Sequence, residues 1–333
     1  MAVTTDPDAV AVLASLNEAF YSMDPGSALR GRLWAILAPV SDDGASPSEL
    51  CEQVLERLPG WGLEAAVDPE EQRSAQILEA FALAHQAGEV LLRHLLAQYD
   101  ASQQDTSAWL ALTAQDHREF RRRCKGILSM SDDDLAVILA WIFLPLTDEQ
   151  RAGLEEADVS AASTFVCSWI RHFAAYYLRT SNAYNAIKHG MSARADLASV
   201  GFASQPATPE EQPLHVPLMS GAMIETLEIE RAKKRRRWLR VRRGVDPAGL
   251  LTSTVIAVAL LDWLWAVSVA RHGGGGVALP MHQGPLPEAV FAGRENAWVF
   301  EFSHDIAALP LPAEEAQAVL TALGLEGVEP ANE

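Results

Sequence analysis

Along most of the chain, apolar residues recur every three or four positions, the period of a helix that buries one stripe. Asp6 to Tyr21 carries Val10, Leu13, Leu16 and Phe20 at that spacing, and Ser27 to Val40 continues it as far as Pro39. Ser46 to Gly60 opens with Ser46, Pro47 and Glu49. That is a capping box with proline at the first helical position. A long helix is predicted from Pro69 to Tyr99, with Ile77, Ala80, Phe81, Ala84, Val90, Leu91, Leu95 and Leu96 on its apolar side. Another covers Thr106 to Leu128. Asp132 to Asp134 then fill a first helical turn, where the helix dipole favours carboxylates, and Pro145 stops that helix. A short charged helix follows from Asp148 to Glu156.

A second long helix runs from Val159 to about Met191. Phe165, Trp169, Phe173, Tyr176, Thr180, Tyr184 and Ile187 form its stripe, and Gly190 is its stop. A third spans Asp246 to Gly276, capped by Asp246, with Pro247 in its first turn and four glycines at its end. Between the two the texture changes. Phe202 to Pro217 reads as a surface loop. Ala222 to Glu230 and Arg237 to Val245 then alternate with period two across the turn "RAKKR", which predicts a β-hairpin. Glu295 to Asp305 reads as one more short strand, and Pro312 to Gly324 as a closing helix.

The expected fold is therefore mainly α, a multi-helix bundle with a small β-hairpin inserted before the last long helix. N-terminal helices occupy residues 1–66 and the bundle core residues 67–200. Residues 201–333 hold the hairpin, the long apolar helix and the short C-terminal strand and helix.

Composition fits an ordinary globular chain, with 49% apolar and 21% charged residues over 333 positions. Cys51, Cys124 and Cys167 are an odd set without CxxC spacing. This argues against a disulfide frame and a zinc site and fits a reducing cytoplasm. The first ten residues lack the charged-then-apolar pattern of a signal segment, so a cytoplasmic location is expected. No HExxH, GxGxxG or GxxxxGK[ST] motif occurs, and no cofactor is expected. His85, His94, His117, His172, His215, His272, His282 and His304 are scattered without ligand spacing.

Charge changes the picture more. The chain carries −18 overall, which repels nucleic acid on average. Yet Arg231 to Arg243 holds nine Lys and Arg and no acid, leaving the remainder near −27. Lys233, Lys234, Arg235, Arg236, Arg237, Trp238, Arg240, Arg242 and Arg243 combine phosphate attraction with an aromatic platform, the means by which single strands are held without sequence preference. The same cations equally suit an acidic protein partner, or pairing with the acidic remainder of this chain. Leu250 to Ala270 is long enough to span a bilayer. Its mid-span Asp262 would cost roughly 2.5–3.5 kcal/mol there, so a buried core helix accounts for it better.

The last turns of the second long helix read "SNAYNAIKHG", Ser181 to Gly190. Asn182, Asn185 and His189 fall three and four apart and share a helix face, flanked by Tyr184 and Lys188. Read plainly, Asn185 and His189 pair with each other at a helix C-terminus, where a cation is favourable. An Asn-x-x-x-His pair closing a helix, in a bundle of long helices, also resembles the HEPN superfamily. Its ribonuclease signature is an arginine, commonly followed by asparagine, with a histidine four to six residues after the arginine. Asn185 and His189 match, Tyr184 stands in the arginine position, and Arg179 lies too far upstream. "AYNAIKHG" is also similar to a phrase of bacterial helical proteins in which a strand pair and a long helix follow. The resemblance covers about ten residues, with a looser match of architecture over Pro69 to Ala270.

That resemblance implies a module of a bacterial defence, toxin–antitoxin or stress system that binds RNA or cleaves it without metal. His189 would be general base or acid, and Lys188 would stabilise phosphate charge. Asn185 would orient the imidazole, and Tyr184 would pack or stack a base. The family builds its site across a dimer, so a homo-oligomer is implied. Tyr184 in place of arginine equally implies a non-enzymatic dimeric scaffold that recruits a partner through the basic hairpin. An RNA role expects Lys188 and His189 exposed near the basic strand. A scaffold expects Asn185 and His189 buried and satisfied by each other.

Overall fold

A computed structural model describes residues 7–37, 69–104, 106–144, 155–188, 193–203, 215–232, 235–273, 284–291 and 304–306. The helices are α1 (Pro7–Tyr21), α2 (Ser27–Leu37), α3 (Pro69–Gln104), α4 (Ala108–Ala114), α5 (His117–Ser129), α6 (Asp132–Phe143), α7 (Glu156–Lys188), α8 (Pro247–Gly273) and the single turn α9 (Pro287–Val290). Between α7 and α8 lie β1 (Ala193–Ala203), β2 (His215–Ala232) and β3 (Arg235–Val245), joined by the later β4 (His304–Ile306). The four strands form one antiparallel sheet in the order β1-β2-β3-β4. The protein is thus mainly α, with the hairpin before the last long helix widened into a sheet.

The three long helices bury their apolar stripes on one another. Leu83, Leu91, Leu92 and Leu95 of α3, Trp169, Ile170 and Phe173 of α7, and Leu260, Leu261, Trp263 and Leu264 of α8 are almost wholly buried. Each such side chain contributes roughly 1.5–3 kcal/mol by leaving water. Helix α7 runs antiparallel to α3, since Tyr176 meets Phe81 while Phe173 meets Gly88 further along. A Cβ at Gly88 would lie 3.1 Å from the Phe173 ring, so glycine permits this close approach. Leu29 and Leu33 of α2 and Phe120, Cys124 and Ile127 of α5 join the same core. Among the described residues α8 is the helix long and apolar enough to cross a membrane. Its apolar side is packed against α3 and its neighbours, and Asp262 on the open side is bonded by Arg30 at 2.6 Å.

The structure departs from sequence expectation in three places. The single helix from Thr106 to Leu128 is two. Asp116 caps α5 by accepting from the Glu119 N–H at 2.8 Å, and Ser107 caps α4 by accepting from the Trp109 N–H. A short carboxylate satisfies an open helix end better than it serves a helix interior, and it breaks the run there. Helix α7 is described as far as Lys188, and "ARADLASVGFA", Ala193–Ala203, forms the unexpected strand β1. Its alanines and glycine carry little strand preference, so pairing along β2 sets its conformation. The loop placed at Phe202 to Pro217 gives its two ends to β1 and β2. The hairpin register agrees with the alternation, Ala222 opposite Val245 and Glu230 opposite Arg237. The helices expected at Ser46–Gly60 and Pro312–Gly324 lie outside the described residues, as do most of Asp148–Glu156 and most of the strand at Glu295–Asp305.

A smaller core seats the sheet on the ends of α3 and α7. It contains Ile77, Phe81 and Ala84 of α3, Tyr176 and Ala183 of α7, Ala195, Ala222 and Ile224 of the sheet, and Leu250. The last turns of α7 are thereby held beside β1 and β2.

Candidate functional site at the end of α7

The final turns of α7 present two chemically different sides. Arg179, Asn182, Asn185 and Lys188 are exposed, while Thr180, Ser181, Ala183 and Ala186 are buried. Asn185 is therefore not the buried partner that a self-satisfied helix end requires. His189 lies outside the described residues. Tyr184, in the position of the HEPN arginine, is half-buried, and its ring stacks on His85 of α3 at 4.3 Å and 18°. One face of that phenol is thus already covered, which takes it away from base stacking on that side.

His85 centres a polar network in the seam between α3 and α7. It is 1% exposed. Its Nδ1 lies 2.8 Å from the Thr180 Oγ1. The Thr180 hydroxyl donates its proton to the Tyr176 carbonyl at 2.6 Å, so it accepts from the ring. This places the proton on Nδ1 and leaves Nε2 as an acceptor. Burial pushes the His85 imidazole down to about 3, so it is neutral at pH 7. Nε2 lies 3.9 Å from a Glu89 carboxylate oxygen. The other Glu89 oxygen accepts from Arg93 Nε at 2.8 Å. Arg93 lies over the Phe120 ring at 4.2 Å and also donates to the Gln115 carbonyl. Alongside, the Tyr177 hydroxyl is 3.1 Å from His117 Nδ1. Burial, with Glu89 next, pushes Tyr177 up to about 12. Burial also raises Tyr184. Among the described residues no group of three His, Cys, Asp or Glu could hold a metal. The network therefore offers a neutral imidazole, a carboxylate and two phenols.

Sequence reasoning set His85 and His117 aside as scattered. A usable signal was present. Polar residues at 85, 89 and 93 recur every fourth position of α3, and Tyr177, Thr180 and Tyr184 interrupt the apolar stripe of α7 that faces them.

The sheet brings some of the nine cations together and separates others. Glu225 accepts from Arg242 at 2.5 Å and from Arg194 at 3.2 Å. Arg194 and Arg242 remain 58% and 40% exposed. Arg243, one residue on, is buried and donates to Thr226 Oγ1 at 3.0 Å, so it is not at the surface. By register, Arg236, Trp238 and Arg240 share the parity of Arg242 and stand opposite Arg231, Ile229 and Leu227. Arg235 and Arg237 share the parity of Arg243 and stand opposite Ala232 and Glu230. Lys233 and Lys234 lie outside the described residues. Across β2 the six arginines of β3 thus meet two carboxylate positions, Glu225 and Glu230.

A second basic segment went unremarked in the sequence reading. Helix α5 begins "HREFRRRCK", with five Lys and Arg against Glu119 alone. Its apolar positions Phe120, Cys124 and Ile127 face the core, and its cations fall on the remaining circumference.

Compared with known proteins, the chain matches no protein-family model, no curated protein and no solved structure. The HEPN resemblance rests on the motif at the end of α7 and on the bundle of long helices that carries it.

Proposed function

We propose that this protein is a HEPN-like module that binds RNA at the end of α7 and across the basic sheet, in a bacterial defence or stress system. The observation that carries the reading is the joint exposure of Asn182, Asn185 and Lys188 on the last turns of α7. Five residues on, β1 begins and adds Arg194, which shares a single carboxylate with Arg242. Amide groups and cations are what phosphate recognition needs. The opposite parity of the hairpin, by contrast, is buried at Ile224, Thr226 and Val241, and Ile224 packs in the core shared with α3 and α7.

Within this reading, binding is favoured over cleavage. The residue in the arginine position is a phenol stacked on a buried imidazole, and it brings no cation to phosphate. A partner-recruiting dimeric scaffold is the second reading, and the same stacked Tyr184 supports it.

Binding is tested by fluorescence anisotropy with single-stranded RNA of about 20 nucleotides, a length that covers one or more sites of this kind. The Lys188→Glu and Arg240→Glu variants are expected to weaken binding. Each is expected to lower the slope of log affinity against log salt by about 0.7 per lost phosphate contact. Wild-type protein that binds no RNA at low salt sinks the RNA reading and leaves the scaffold. Cleavage is tested separately in chelator, wild type against His189→Ala with an unchanged melt. Chelator-resistant cleavage lost in that variant would make the module an enzyme.

A further inference from the structure

We infer that the outer face of α5 is a second phosphate-binding surface, onto which an RNA strand held at the end of α7 continues. The inference rests on the RNA reading above and extends it to a part of the molecule that the motif does not reach.

Two segments of the chain, Arg231–Arg243 and α5, hold fourteen of its 26 Lys and Arg. In a chain with 44 acids, such clustering is a departure that needs a cause. Arg118, Arg122 and Lys125 are spaced four and three apart and share one exposed face. That face lies opposite Phe120, Cys124 and Ile127, which bury the helix in the core. The cations rise roughly 6 and 4.5 Å apart along the helix axis. Asp116 is the N-cap, engaged by the Glu119 N–H. Glu119 is bonded by Arg122, and Arg123 is bonded by Asp100. Among the described residues Arg118 and Lys125 have no ion-pair partner. Asp116 also lies within the electrostatic reach of Arg118, and against Asp116 and Glu119 the three outward cations leave the face with an excess of positive charge.

The core side of α5 packs on α7 and sets the N-terminal end of α5, with Arg118, beside that helix. Tyr177 touches both His117 and Phe120. Tyr177, Ser181, Tyr184 and Lys188 recur at four, three and four, so they lie on one flank of α7. Lys188 stands eleven residues beyond Tyr177, about 16 Å along the axis. The N-terminal end of α5 and Lys188 thus lie at the two ends of a stretch of α7 whose Tyr177 and Ser181 are buried and whose Tyr184 and Lys188 reach the surface. Between them lies the polar seam of Tyr184, His85 and Glu89, whose carboxylate is offset by Arg93. A strand of a few nucleotides spans that distance. The cations are mainly arginines, whose planar forks suit phosphate oxygens.

The experiment uses the full-length chain and the double variant Arg118→Glu/Lys125→Glu. Both substituted side chains are exposed, so the melt is expected to match wild type. Anisotropy is read with single-stranded RNA of about 5 and about 20 nucleotides, bracketing the site sizes of single-strand binders. The expected result is unchanged affinity for the short RNA and at least a tenfold loss on the long one. The salt slope on the long RNA is expected to fall by about 1.4, the value for two lost phosphate contacts on single strands. Equal loss on both lengths, or none, overturns the second surface while leaving the α7 site intact. Wild type that binds neither RNA overturns both readings. Binding to vesicles of phosphatidylserine and phosphatidylcholine that is lost in the double variant, with RNA binding unchanged, would assign the face to a membrane surface and overturn the inference.

Discussion

Thr180→Val isolates the bond that fixes His85. The substitution keeps the branched shape of a side chain that is 3% exposed, so packing changes little. The hydroxyl's donation to the Tyr176 carbonyl is also lost, but that carbonyl belongs to a helix and retains its backbone partner. What remains is the His85 Nδ1–H, 2.8 Å from an oxygen that has gone, in a site with almost no solvent. Leaving such a donor unsatisfied costs about 1–3 kcal/mol. Urea unfolding followed by tryptophan fluorescence is expected to show that loss as a lower midpoint with an unchanged m-value. The double variant His85→Leu/Thr180→Val removes both partners. Its destabilisation should therefore fall short of the sum of the single variants by roughly 1–2 kcal/mol, within the range of coupled neighbours. A Thr180→Val protein within about 0.5 kcal/mol of wild type, the scatter of neutral substitutions, would refute the bond. So would an additive double variant.

Stability should also fall in mild acid. Burial lowers His85 to about 3 and His94 and His172 to about 4, while the unfolded chain titrates near 6.5. Above 6.5 neither state is protonated and stability is full. Below it the unfolded state takes up protons that the folded state refuses, so stability declines toward the folded values. Between pH 6.5 and 5 each histidine costs up to about 2 kcal/mol, and His94→Gln should flatten the melting curve against pH in that window. Gly249→Ala should destabilise by about 1–3 kcal/mol through overpacking, because an added Cβ would lie 2.7 Å from the Phe291 ring and 3.0 Å from an Asp246 oxygen. A melting temperature equal to wild type would mean that Phe291 is free to move. Asn185→Ala and Lys188→Ala, both exposed, should change stability by less than about 0.5 kcal/mol while weakening RNA binding. A large drop in the melt for either would show that the end of α7 is structural.

The helices were legible because their signals are local. The stripe from Phe165 to Tyr184 and the first-turn carboxylates Asp132 to Asp134 can be read within one or two turns. The break before α5 was legible in principle, since Asp116 followed by Glu119 is a helix start, but the apolar run across it suggested continuity. Strand β1 was not legible. Its alternation is faint, and what fixes it is a partner strand whose paired residues lie 12 to 33 positions away in sequence. For the site, Asn182, Asn185 and Lys188 face outward together on α7, a grouping visible in their spacing, yet the inward chemistry was missed. His85 acquires its meaning only from Thr180 and Tyr184, nearly a hundred positions later. A lone histidine in an apolar helix carries no sign of whether its ring will be stacked, bonded or free.

These two sides of α7 bear on the choice between enzyme and binder. Catalytic imidazoles titrate near the working pH, so that they can both take and give a proton. His85 is held far below that range by burial, with its proton committed to Thr180. It is suited to positioning Tyr184 and stiffening the seam rather than to proton transfer at neutral pH. Tyr184 in turn brings no charge to the open side of the helix. What the end of α7 offers outward is amide groups and a lysine, beside arginines that outnumber their carboxylates. On the RNA reading proposed above, such a surface would hold phosphate without supplying a base among its described residues. The consequence is a ranking that experiment can reverse: salt-sensitive binding first, cleavage only through His189.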